Sequence, residues 1–177
     1  MRISAPGPTD GDEIVGVAVV EPAEATILVS LADQLQALLA DALSSPFDGD
    51  TAVQRLLPDA YRSEPELADE WRRLSRRGLV DRKISFAHSL STSLSPGVDS
   101  DAARTVPLTL DVALDWVRGI GDLRLVIADR MGIIVDGDEG TFGEPGLRDV
   151  YDLLAWMQDA LVQVLDQAEP AAAPDAP

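Results

Sequence analysis

Glu13 to Val20 (EIVGVAVV) is short, β-branched and uninterrupted by turn residues, which is the pattern of a strand. Val15, Val17 and Val19 would share one face, and Ile14, Gly16, Ala18 and Val20 the other. The period then changes. Pro22 suits the first turn of a helix, where a missing N–H costs nothing. Leu28, Leu31, Leu35, Leu38 and Leu39 recur at the spacing of one helical face, so a helix is predicted to about Leu43. Thr51 and Gln54 have capping-box spacing and predict a short helix through Leu57, ended at Pro58. Ser63 and Glu66 repeat that spacing, with Pro65 in the first turn. A long helical stretch follows to about Leu94. Leu67, Trp71 and Leu74 mark its first inner face, and Ile84, Ala87, Leu90 and Leu94 its second. Gly78 lies between the two and is a candidate break.

Ser95 to Ala103 reads as loop, and Arg104 to Leu108 as a second short strand. Pro107 cannot donate to a ladder, so this strand belongs at an edge. Thr109 caps the next helix, Leu110 to Met131, with Ala113, Trp116, Val117, Ile120, Leu123 and Ile127 inside. Asp111, Asp115, Arg118, Asp122 and Asp129 fall largely on its opposite, wet face. Gly132 is placed to end it. After a Gly- and acid-rich loop, Val135 to Gly146, a last helix runs from Leu147 to Gln167, with Val150, Leu153, Leu154, Met157, Leu161 and Leu165 inside. Two short strands cannot survive alone in water. The expected fold is therefore mainly α: a bundle of about five helices carrying a small two-stranded antiparallel β-ribbon. Residues 12–167 form a single domain in this reading, with disordered tails at 1–11 and 168–177. The C-terminal tail, AEPAAAPDAP, has no large apolar group to offset its ordering entropy.

Charge narrows the function classes. In 177 residues, 31 acids face 14 bases, a net charge of -17. That sign disfavours non-specific nucleic-acid binding and docking on an anionic membrane. The absence of cysteine excludes disulfides, thiolate metal sites and cysteine nucleophiles, and a single histidine excludes a two-His motif. Met1 to Asp12 lacks the apolar stretch of a signal peptide, and no apolar run approaches the roughly 18 residues of a membrane span. The chain reads as cytoplasmic.

Each candidate constellation has a competing bland reading. Counted from Asp136, an EF-hand loop would need an oxygen at position 5, Gly at 6 and Glu at 12, but Gly140, Thr141 and Leu147 stand there. The loop reads as solvated and acidic. His88, beside Ile84 and Ala87, has no nucleophile elbow near it and reads as a structural or surface histidine. Asp122 and Arg124 could suggest catalysis, but an Arg at the rim of an apolar stripe is more often paired and structural. No catalytic, cofactor-binding or metal site is predicted. One segment does stand out: residues 55–83 hold eight of the fourteen bases and six acids, so they are +2 in a chain whose remainder is -19. Arg72, Arg73, Arg76 and Arg77 occupy i, i+1, i+4 and i+5, giving two rows, 72/76 and 73/77, on one helix surface. They are the candidate partner-binding residues. An acidic protein partner fits them better than DNA, because the surrounding negative field repels a long polyanion. A solvated face pairing Asp69 with Arg72 or Arg73 is the bland alternative. The two-sided apolar strand Glu13–Val20 also suggests a homodimer that covers it.

Several short motifs resemble one family. They are Leu56-Leu-Pro-Asp-Ala-Tyr-Arg62 with Glu64-Pro-Glu-Leu-Ala68 and Trp71-Arg-Arg-Leu74, then Gly121-Asp-Leu-Arg-Leu125 with Arg130-Met-Gly-Ile133, and finally Tyr151-Asp-Leu-Leu-Ala-Trp-Met-Gln158. Over roughly Glu13 to Gln167 the chain is similar to the actinobacterial "domain of unknown function" family numbered twenty-seventeen. Its members are often encoded beside the adaptor of the Clp protease, and some carry a transcriptional-regulator label. The resemblance implies a mostly helical cytosolic protein without an established enzymatic activity, and it brings no catalytic residues. The expectation is a non-catalytic regulatory or interaction module; the rival is a helix-turn-helix DNA-binding regulator using residues 64–94.

Overall fold

The computed structural model describes residues 1–7, 11, 13–44, 49–58, 65–135, 138, 140 and 146–168, with backbone alone for 65 and 67–74. The strands are β1 (Arg2–Ser4), β2 (Ile14–Val20) and β3 (Arg104–Thr109); the helices are α1 (Pro22–Ser44), α2 (Thr51–Leu56), α3 (Pro65–Val98), α4 (Leu110–Arg130) and α5 (Leu147–Ala168). The molecule is mainly α with a small antiparallel sheet, as the patterning predicts.

Among the described residues the sheet has three strands, not two, in the order β1-β2-β3. Arg2 pairs with Val19 and Ser4 with Val17, so part of the predicted N-terminal tail is an edge strand. The Met1 ammonium pairs with Glu24 at the start of α1, which ties that strand down. A three-residue strand is too short to show a period in sequence. It pairs with the outer edge of β2 over Val17–Val19. Pro107 sits on β3, which is an edge strand as its missing donor requires, and lies opposite Val17. Ala18, Val20, Val106 and Leu108 form the buried face of the sheet. Gly16 belongs to that face because a Cβ there would lie 2.6 Å from Val164 Cγ1 of α5.

The helices enclose one core. Trp116, Ile120, Leu28, Leu39, Leu90, Leu94, Leu154, Met157 and Leu161 are fully buried, each burial contributing about 1.5–3 kcal/mol. α4 is the central helix: it packs against α1, α2, α3, α5, β2 and β3. Gly119 lets α4 approach α3, since a Cβ there would meet the Phe86 carbonyl oxygen at 3.2 Å. α1 is long and apolar enough to span a membrane by length and composition. In this fold it buries one stripe, Ala25, Leu28, Ala32, Leu35 and Leu39, and packs chiefly on α3.

Several local expectations change. Gly78 does not break α3, which runs 34 residues without interruption. A Cβ at Gly78 would meet nothing within 4 Å, so this is an open position where glycine costs about 1 kcal/mol without ending the helix. α3 also continues through Pro96 to Val98, into the predicted loop 95–103. The cap of α2 is Asp50 rather than Thr51: its carboxylate accepts from the backbone N–H groups of Ala52 and Val53. The Ser63 cap lies outside the described residues. α4 ends as predicted, with Gly132 at φ 71° and the Ile133 N–H donating to the Ala128 carbonyl at 2.8 Å, the Schellman closure that glycine permits. Asp122 is the largest correction. It was expected on the wet face and is 6% exposed, because α3 covers that side of α4.

Candidate functional site

The four arginines lie on the N-terminal half of one helix. Because α3 is unbroken, positions 72/76 and 73/77 keep the predicted helical rows. The side chains of Arg72, Arg73, Trp71 and Asp69 lie outside the described residues. Arg76 turns inward: its Nη2 donates to the Ala42 carbonyl oxygen at 3.1 Å. Ala42 is in the last turn of α1, where carbonyls have no intrahelical partner and the helix end carries partial negative charge. Arg76 therefore fastens α1 to α3. Arg77 turns outward, with its side chain 85% exposed and its Nε 4.0 Å from Asp81. An exposed i,i+4 pair at that distance is weak, so its guanidinium is available to an acceptor from outside. One row is thus engaged with the fold through Arg76, and the other presents Arg77 to solvent.

The remaining polar groups that resemble a site form three clamps between helices. Between α3 and α4, Lys83 Nζ donates to Asp122 Oδ1 at 2.5 Å. Burial pushes the Asp122 carboxyl above its ordinary value, and the hydrogen bond and charge of Lys83 offset part of that rise. Asp122 Oδ2 is buried without a hydrogen-bond partner among the described residues. Between α4 and α5, Arg124 Nη1 donates to Gln158 Oε1 at 2.7 Å. The Arg124 guanidinium stacks 5.0 Å from the Tyr151 ring centroid, while Gln158 Nε2 donates to the Val117 carbonyl at 3.3 Å. Gly121 belongs here because a Cβ would lie 3.1 Å from Gln158 Nε2. Between α2 and α4, Arg130 donates to Asp50 at 2.7 Å, Thr51 donates to Asp129 at 2.7 Å, and Arg55 reaches the Ile133 carbonyl at 2.9 Å. The Arg130 hydrogen bond and charge, with the Ala52 and Val53 N–H groups, hold the Asp50 carboxyl below its usual value against partial burial.

These clamps account for motif residues quoted from the sequence: Gly121, Asp122, Arg124, Arg130, Tyr151 and Gln158 all join one helix to another. Arg124 has the paired, structural role expected of it. Sequence reasoning missed Lys83–Asp122, whose partners are 39 residues apart and carry no local signal. His88 is exposed. Asp138 accepts from the backbone N–H groups of Ile134 and Gly140 at 3.3 and 3.1 Å, a turn-forming role; most of the acidic loop 136–145 lies outside the described residues. No group of three or more metal-holding side chains is gathered among the described residues.

The chain belongs to the family described as a domain of unknown function (DUF2017), whose family pattern matches residues 6–165. No curated protein and no solved structure gives a significant match.

Proposed function

We propose that this chain is a non-catalytic, cytoplasmic interaction module that docks an acidic protein partner through the α3 row of positions 73 and 77, on which Arg77 faces solvent. The observation that carries the reading is the division of labour between neighbouring arginines. Arg76 anchors the helix to α1 while Arg77 stands 85% exposed. An anchored helix fixes the backbone from which Arg77 projects, so the ordering cost when a carboxylate closes on it is confined to the side chain. The remainder of the chain is strongly negative, so this segment is where an acidic surface meets least repulsion. A helix-turn-helix over 64–94 has less support: that motif needs two helices joined by a turn, and α3 is one helix from Pro65 to Val98.

The test is charge reversal. Arg73→Glu with Arg77→Glu should abolish recovery of the partner from the native host, read by mass spectrometry. The melting temperature should stay within about 2 °C, as for surface substitutions generally. Unfolding of the double variant would make the row an internal salt-bridge element. Sequence-preferring binding of promoter DNA by the wild-type protein at physiological salt would favour the regulator reading.

A further inference from the structure

A second surface, opposite in sign to the arginine row, lies along the outside of α4 and α5. The two helices are antiparallel in a register fixed by Gln158 on Val117 and by Arg124 on Tyr151. Leu110, Leu114, Gly121 and Leu125 follow one another along the outer side of α4 at i, i+4, i+11 and i+15. Val162 lies one turn beyond Gln158 on α5, which the register brings level with the Leu114 turn. Leu110 is 51% exposed, and Leu125 and Val162 are 41% exposed. Gly121 adds no side chain there, and Gln158 of α5 closes against it. The rim is acidic. Asp152, Asp159 and Asp166 repeat every seven residues on α5 and are exposed, a row with about 10 Å between members. Asp111 stands exposed on the α4 side. None of these four carboxylates has a hydrogen bond or ion pair among the described residues. Two cations lie nearby: Arg118, with its side chain 52% exposed, sits over the Phe86 ring and makes only a weak 3.9 Å pair with Asp115 on the α3 side of the ridge, and Arg148 lies over the Tyr151 ring.

We infer that this face docks a basic amphipathic helix of a partner protein, its apolar stripe along the Leu110–Leu125 ridge and Val162, its Lys or Arg residues on the α5 carboxylate row. A seam between two antiparallel helices accepts a third helix by ridge-in-groove packing. Carboxylates at seven-residue intervals match cations at i and i+7 of such a helix. A second copy of this chain is disfavoured, because pairing the same face would bring two acidic rows together. The inference does not depend on the arginine row.

The test uses a fluorescent 18-residue helical peptide with Leu on one face and Lys at seven-residue intervals beside it. The controls are the same composition scrambled and a Lys→Glu version. The lysine peptide should bind the wild-type protein, with affinity falling at least tenfold in Leu110→Ser with Val162→Ser, and again in Asp152→Asn with Asp159→Asn and Asp166→Asn. The Glu peptide should not bind, and Arg73→Glu with Arg77→Glu should bind the lysine peptide as the wild type does. Equal binding of the scrambled peptide, or unchanged affinity in the serine variant, would reduce the effect to attraction between a polycation and an acidic protein and overturn the inference. A wild-type dimer in sedimentation that the serine variant dissolves would also overturn it, in favour of a second copy.

Discussion

Lys83→Met leaves Asp122 buried on α4 with no cation, and the consequence can be worked from the structure. Lys83 and Asp122 meet at 2.5 Å with side-chain exposures of 15% and 8%. Removing one partner of a buried pair costs about 3–5 kcal/mol, mostly the cost of an uncompensated charge. The remaining exposure of Lys83 places this site near 3 kcal/mol. With a urea m-value of about 2 kcal/mol/M, the midpoint should fall by about 1.5 M. The double variant Lys83→Met with Asp122→Leu should recover most of the loss, since a well-packed apolar pair often equals or exceeds a buried ion pair. The pH dependence supplies a sign. The folded Asp122 carboxyl lies above its unfolded value of 3.8 because burial raises it, and Lys83 counteracts that rise. Without Lys83 the folded value rises further. The folded state then binds more protons than the unfolded state between the two values, so its penalty is full above the folded value and relieved as pH falls toward the unfolded one. The gap between Lys83→Met and its Asp122→Leu double variant should therefore narrow on acidification. A single variant as stable as wild type, or a gap that widens on acidification, would refute the reasoning.

Three further outcomes follow from the packing. Arg76→Ala should lower stability by about 1.5 kcal/mol, the scale of a charged hydrogen bond, whereas Arg77→Ala should leave the melting temperature within about 2 °C; calorimetry separates the anchoring role from the exposed one. Gly16→Val should destabilise by at least about 1–3 kcal/mol as overpacking does, because even a Cβ there would lie 2.6 Å from Val164 Cγ1; a full-strength urea midpoint would contradict the close approach. Asp50→Ala should cost about 1 kcal/mol at neutral pH through loss of the α2 cap. Arg130 holds the folded Asp50 carboxyl below 3.8, so wild type should keep this advantage at neutral pH and lose it as pH falls through that lowered value.

Legibility followed local signals. The stripes of α4 and α5 are strongly periodic, and Trp116, Ile120, Leu154, Met157 and Leu161 are buried as their spacing predicts. Pro107 named an edge strand because a missing N–H has only one consequence in a ladder. The misses share a different cause. β1 is three residues long and exists through its pairing with β2. Gly78 is a weak breaker set between Arg76, which bonds the end of α1, and the buried Val80. Asp122 looked wet because a helical wheel knows only its own helix, and α3 covers that flank. Arg76 and Arg77 are adjacent in sequence with identical chemistry, and only the position of the α1 end separates anchor from exposed cation.

The most direct test of the docking proposal is a photo-crosslinking residue placed at Asp81, 61% exposed and one helical turn from Arg77, in the native host, with the same residue at Asp166 as a spatial control; Arg77 itself stays intact. After irradiation, adducts are digested and the crosslinked peptide sequenced. The account predicts that position 81 gives one dominant adduct mapping to an acid-rich protein segment, which position 166 does not give. No protein adduct at position 81, an adduct on a basic segment, or crosslinking to DNA would contradict it.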